Sequence, residues 1–213
     1  KTVVYDSLFL VPLLPLIGAT ILTLFGARLN KGAVTVVALA ACLGAFLVAA
    51  VATVTFLDAG VPLEQHLWRW ISVGRYRFDL VFGLDHLSAT LILVVTGVGF
   101  LIHLYSVGYM HEDPAYWRYF AYLNLFIFAM SVLVLGRSLP VMFIGWEGVG
   151  LASYLLIGFW YTDIEKAKAG KKAFITNRVG DFGFLIGIFT LVGLFGTDIL
   201  RTGARNLART KRA

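Results

Sequence analysis

Runs of about 20 mostly apolar residues recur along the chain, at about 7 to 27, 32 to 57, 84 to 108, 117 to 136, 139 to 161 and, less cleanly, 173 to 196. At ~1.5 Å rise per helical residue, such runs cross a hydrocarbon layer ~30 Å thick. A backbone in lipid must pair its own N–H and C=O groups, so the runs predict transmembrane helices, whereas a membrane β-barrel would alternate polar and apolar positions. One segment does alternate. Leu67 to Leu80, LWRWISVGRYRFDL, steps by two around Gly74. Trp68 and Trp70 share a phase before the turn; Tyr76, Phe78 and Leu80 share one after it, opposite Arg75, Arg77 and Asp79. This pattern predicts a β-hairpin over about 66 to 81, its aromatics at the membrane surface. The expected fold is an all-α membrane protein of about six transmembrane helices with a small external β-hairpin between helices 2 and 3. Residues 1–197 form the helix bundle in this reading, and 198–213 a basic tail.

Composition supports an apolar solvent: 59% of the 213 residues are hydrophobic and 14% charged, against about 45–50% and about 25% in soluble domains. No A-x-A-like site closes the first apolar run, which therefore reads as a retained helix and not a removed signal peptide. Pro12 and Pro15 lie inside it, where neighbouring helices must satisfy the freed carbonyls. Helix 2, rich in Ala, Val and Gly, is expected to pack closely against others. The single cysteine, Cys42, has no intrachain partner and reads as a small packing residue. The net charge of +6 sits in short loops and the C-terminal tail, a topology signal and not a nucleic-acid surface. Loops 1–2, 3–4 and 5–6 carry Arg28, Lys31, Arg118, Lys166, Lys168, Lys171 and Lys172, denser than the opposite side, so the N-terminus and hairpin are expected outside. The tail runs against that rule, which leaves a sixth segment that does not fully cross, a tail that is not native sequence, or a polybasic tail tolerated outside; Arg201, Arg205 and Arg209, at four-residue intervals, read as a solvated tail or as a cationic face for anionic lipid.

The informative residues are the ionisable ones at lipid depth. Glu147 lies eight residues after Leu139 and fourteen before Tyr161, well inside the hydrocarbon. An acidic group there costs about 2.5–3.5 kcal/mol on insertion scales. Desolvation favours its neutral acid and a nearby cation its carboxylate, so a movable cation or a hydrated path would let it load and release a proton. A static ion pair holding two helices together is the plainer alternative. Gly145, Gly148, Gly150, Ala152 and Ser153 surround it with small residues, which suit either water access or close packing. In helix 6, Arg178 and Asp181 are three residues apart and share a helix face, as a local ion pair or as the lining of a hydrated route from the lysine-rich side. His103 sits inside the third helix, a candidate proton relay or a side chain bonded to a backbone carbonyl. No phosphate loop, metal-spaced Cys/His cluster or nucleophile triad is present, so no redox cofactor is expected.

The strings GWEGVGLASYLLIGFWYTD (Gly145 to Asp163), KKAFITNRVGDFGF (Lys171 to Phe184), FGLDHLSA (Phe82 to Ala89) and TGVGFLIHLYSVGYM (Thr96 to Met110) closely resemble subunit L, or chain 5, of NADH-quinone oxidoreductase, respiratory complex I, over roughly residues 6 to 197. Subunits of multisubunit sodium/proton antiporters and of membrane hydrogenases look similar and form the alternative, beside a non-pumping scaffold. The resemblance implies a proton-translocating membrane-arm subunit, multi-pass in the bacterial inner membrane, with no redox centre of its own. Its implied partners are other membrane-arm subunits, especially an M-like one, together with lipids and protons and no nucleic acid. It matches Glu147 to the family's fifth-helix glutamate, Lys172 to the lysine of KKAF, and Arg178 and Asp181 to the Arg and Asp of RVGD, which the family connects with proton uptake or coupling. His103 matches a third-helix histidine. Family members continue to some sixteen helices, including the seventh-helix lysine that partners the glutamate. The chain is therefore expected to be an N-terminal fragment, a split gene product completed by a second polypeptide, or an early-terminated frame, and not to pump protons alone.

Overall fold

A computed structural model of the chain describes residues 2–73 and 76–195. The turn expected around Gly74 and the basic tail lie outside the described residues. Six helices follow in order: α1 (Leu10–Phe25), α2 (Lys31–Ala59), α3 (His86–Tyr109), α4 (Tyr116–Leu135), α5 (Leu139–Ile157) and α6 (Ile164–Phe195). All six are long and apolar enough to cross a membrane. Between α2 and α3 stands the hairpin, β2 (Leu63–Val73) and β3 (Tyr76–Leu84), and a short N-terminal strand β1 (Val3–Val4) adds to β2 in parallel, giving a sheet of order β1-β2-β3. The protein is an integral multi-pass membrane protein of helical class.

Local chemistry explains the boundaries. Asn30 caps α2, its Oδ1 accepting from the Ala33 N–H at 2.7 Å, and Gly60 ends that helix at φ 62°, the left-handed region that favours glycine. Asp85 and Ser88 form a reciprocal capping box at the start of α3. Pro12 falls in the first turn of α1 and Pro15 in its interior, and both are buried. Two helices start elsewhere than their apolar runs suggest. α1 begins at Leu10 and not near residue 7, because the preceding chain joins the sheet; α6 begins at Ile164, well before residue 173. The first turns of α6 are polar and held by i,i+3 pairs, Asp163–Lys166 at 3.3 Å and Glu165–Lys168 at 3.0 Å, so hydropathy marks only its lipid-depth part.

The sheet is fixed to one end of the bundle. Buried Gln65 donates to the Asp6 carbonyl at 2.5 Å and accepts from the Phe9 N–H at 2.8 Å, tying β2 to the start of α1. Arg137, between α4 and α5, donates its backbone N–H to Val81 O at 3.0 Å and forms a 2.7 Å ion pair with Asp85. Beneath the sheet, Leu8, Val11, Phe56, Leu63, Phe82, Leu84, Ile92 and Leu135 form one apolar cluster. At the other end Leu22, Val34, Met110, Tyr116, Phe120 and Phe159 form a second. A ladder of buried small side chains on α2, Ala38, Cys42, Ala45, Ala49 and Ala52, joins the two, which is the close packing its composition predicts. Two irregularities of register, between His66 and Trp68 and between Arg69 and Ile71, interrupt the strict alternation of the hairpin; Trp68 and Trp70 are both exposed.

A candidate charged site between α5 and α6

α6 packs along α5, and its outer face, Val179, Phe182, Phe189 and Leu194, is exposed. On the α5 side of that seam sits Glu147, eight residues and about 12 Å along its helix. α5 approaches α4 closely because Gly145 is buried against the Leu133 backbone: a Cβ there would stand 2.6 Å from Leu133 Cα. The next small residue, Gly148, faces Ala129 in the same way, at 2.9 Å to its Cβ. These glycines press one face of α5 onto α4 and leave Glu147 toward α6.

Arg178 of α6 completes the site. Its Nη1 forms an ion pair with Glu147 and stands 3.8 Å from Asp181 Oδ2, one turn along the same helix. Asp181 is buried and accepts a 2.7 Å hydrogen bond from the Trp146 indole N–H. The guanidinium lies over the Phe174 ring at 4.5 Å, and its Nε is buried without a hydrogen-bond partner among the described residues. One cation thus faces two carboxylates that come from different helices. The Glu147 and Arg178 side chains retain 26% and 40% of their exposure, so the pair sits at the rim of the seam and is open on the unpacked side of α6.

Three of the expected site residues therefore meet: Glu147, Arg178 and Asp181. Lys172 does not join them. It lies six residues before Arg178, about 9 Å along α6, with an exposed side chain. His103 is in a different place altogether, fully buried on α3, where its Nδ1 donates to the Gly99 carbonyl at 2.8 Å. Trp146 and Phe174 are members of the site that the sequence reading passed over. A tryptophan in a lipid-depth helix still needs a partner for its N–H, and that need was the available signal for Trp146.

Across α5–α6 the arrangement is a helical seam with an ion-paired carboxylate midway along α5 and, among the described residues, no cluster suited to a metal. The description "NADH-Ubiquinone oxidoreductase (complex I), chain 5 N-terminus" matches residues 70–120, and "NADH:quinone oxidoreductase/Mrp antiporter, TM" matches residues 136–211. NADH-quinone oxidoreductase subunit L of Mycobacterium tuberculosis is 47% identical over 187 residues, which cover 86% of this chain and 29% of the relative. The Escherichia coli subunit L is 46% identical over 193 residues, covering 90% and 32%. In solved structures, the archaeal membrane-bound sulfane sulfur reductase superposes with a TM-score of 0.78 at 21% identity, over 90% of this chain and 38% of that one. The Mrp complex from Dietzia sp. gives 0.72 at 21% identity, over 90% and 20%, so the same fold recurs there. The chain belongs to the subunit L/chain 5 family of NADH-quinone oxidoreductases and corresponds to its N-terminal portion. It spans about a third of the length of these curated relatives.

Proposed function

We propose that the chain forms the N-terminal part of a proton-translocating membrane-arm subunit of NADH-quinone oxidoreductase in a bacterial inner membrane, with Glu147 as the group that loads the proton. The observation that carries this reading is the single guanidinium of Arg178 set between Glu147 and Asp181. While Arg178 pairs with Glu147, the carboxylate is compensated and holds no proton. When the guanidinium turns to Asp181, Glu147 loses its counter-ion at lipid depth, where an uncompensated charge is costly, and takes up a proton. Return of Arg178 releases it. Trp146 keeps Asp181 fixed throughout, so the cation moves and not the acceptor. Lys172, on the polar half of α6, would feed protons toward the seam from the lysine-rich side. His103 would act at a separate relay inside the bundle. Quinone reduction elsewhere in the complex drives the movement, the helices that follow in longer relatives supply further partners for Glu147, and an M-like subunit and the lipids border the chain.

The experiment is Glu147→Gln in the assembled complex, read as NADH-driven acidification of closed membrane vesicles with the chain's presence checked by immunoblot. Loss of pumping with assembly intact is the expected result. Unchanged pumping refutes the loading role, and unchanged pumping together with collapse of the complex on deletion of the chain assigns it a scaffold role.

A further inference from the structure

We infer that His103 and Asn124 bind one internal water molecule that donates a hydrogen bond to each, deep in the bundle and independent of the Glu147 site. Both side chains are fully buried, and each keeps one polar atom, His103 Nε2 and Asn124 Oδ1, with no hydrogen-bond partner among the described residues. The chemistry of those atoms identifies the ligand. His103 Nδ1 faces the Gly99 carbonyl, which only accepts, so Nδ1 carries the hydrogen of the neutral ring and Nε2 presents a bare lone pair. Asn124 donates one of its two amide N–H groups to the Phe120 carbonyl at 3.0 Å, and its Oδ1 is an acceptor as well. Two acceptors cannot bond each other. A small molecule with two donors satisfies both, and water is the one that fits a site of this kind.

Helix register brings the two residues to nearly the same level of the bundle. The Ser106–Tyr119 contact at 3.1 Å and the approach of Gly99 to Ile127 set α3 antiparallel to α4. In that register Asn124 lies within about two residues of the level of His103, an axial offset of about 3 Å. Gly18 of α1 lets Asn124 Oδ1 lie against bare backbone: a Cβ on it would stand 3.0 Å from that oxygen and 2.7 Å from Ala41 Cβ of α2.

The test uses the chain in the membrane complex into which it assembles. A cryo-electron microscopy map that resolves ordered waters should show one density within hydrogen-bonding distance of both Nε2 and Oδ1. Direct contact between the two side chains, or a site filled by apolar groups, overturns the inference. Thermal unfolding of His103→Phe, Asn124→Leu and the double variant gives a second readout. Because one water serves both residues, the double variant should lose clearly less than the sum of the single losses, and additive losses overturn the inference. Where a single variant fails to assemble, the map decides.

Discussion

Replacing Gly145 by Ala tests whether the spacing of α4 and α5 is set by bare backbone contact. The added methyl would lie 2.6 Å from Leu133 Cα and 2.8 Å from Leu133 Cβ, against an ordinary carbon–carbon approach of ~3.5–4.0 Å. The obstacle is backbone, which no rotamer change relieves, so the helices must separate by about 1 Å. Overpacking of this kind costs about 1–3 kcal/mol, and the better helix propensity of Ala returns up to ~1 kcal/mol. A net loss of about 1–2 kcal/mol lowers the thermal midpoint of a chain this size by about 2–8 °C. Gly183→Ala is the control. Nothing lies within 4 Å of the position its Cβ would take, so only the propensity gain applies and the midpoint should hold or rise. Thermal unfolding of the purified chain in detergent, followed by circular dichroism, reads both. A Gly145→Ala protein as stable as its parent, or an equal fall in Gly183→Ala, would refute the close-packing argument.

Other positions give equally definite expectations. Burial raises the Asp85 carboxyl, but hydrogen bonds from Ser88 and Arg137 and the Arg137 charge outweigh it and hold the group below its ordinary value. A depressed carboxyl contributes stability that is present above the ordinary carboxylate range and lost as pH falls through the lower folded value. Acid unfolding of the parent should therefore include a component that Asp85→Asn removes, and identical acid profiles would count against the Asp85–Arg137 bridge. Gln65→Leu leaves the Phe9 N–H and the Asp6 carbonyl without their partner, a loss of about 1–3 kcal/mol measured by thermal unfolding. Gly60→Ala forces a side chain into the left-handed region at φ 62° and should cost about 1 kcal/mol, again by thermal midpoint.

Much of this architecture was written in the hydrophobic pattern, because a lipid solvent demands long apolar helices and leaves few alternatives. The hairpin was equally legible, since a period of two within a helical chain stands out at LWRWISVGRYRFDL. β1 was not: two valines carry no strand pattern of their own, and they pair with β2 where Gln65 also holds the chain ahead of α1. The start of α6 escaped because Glu165, Lys166 and Lys168 form a polar helix that a hydropathy reading counts as loop. In the site, the Arg178–Asp181 relation followed from an i,i+3 spacing, and Glu147 was conspicuous as an acid at lipid depth. That Arg178 is the partner of Glu147 depends on which face α6 turns to α5, a tertiary fact that no local spacing encodes. The same holds for Trp146, adjacent to Glu147 in sequence yet pointed about 100° away around the helix, and for Asn124, whose oxygen is left without a partner among the described residues only when the helices around it are assembled.

Infrared difference spectroscopy of the complete complex, comparing resting and turning-over enzyme, tests proton loading at Glu147 most directly. A protonated-carboxyl band should appear during turnover and be missing from the Glu147→Gln complex. A spectrum with no such band, or one whose band survives the Glu147→Gln change, would contradict a proton loaded on Glu147.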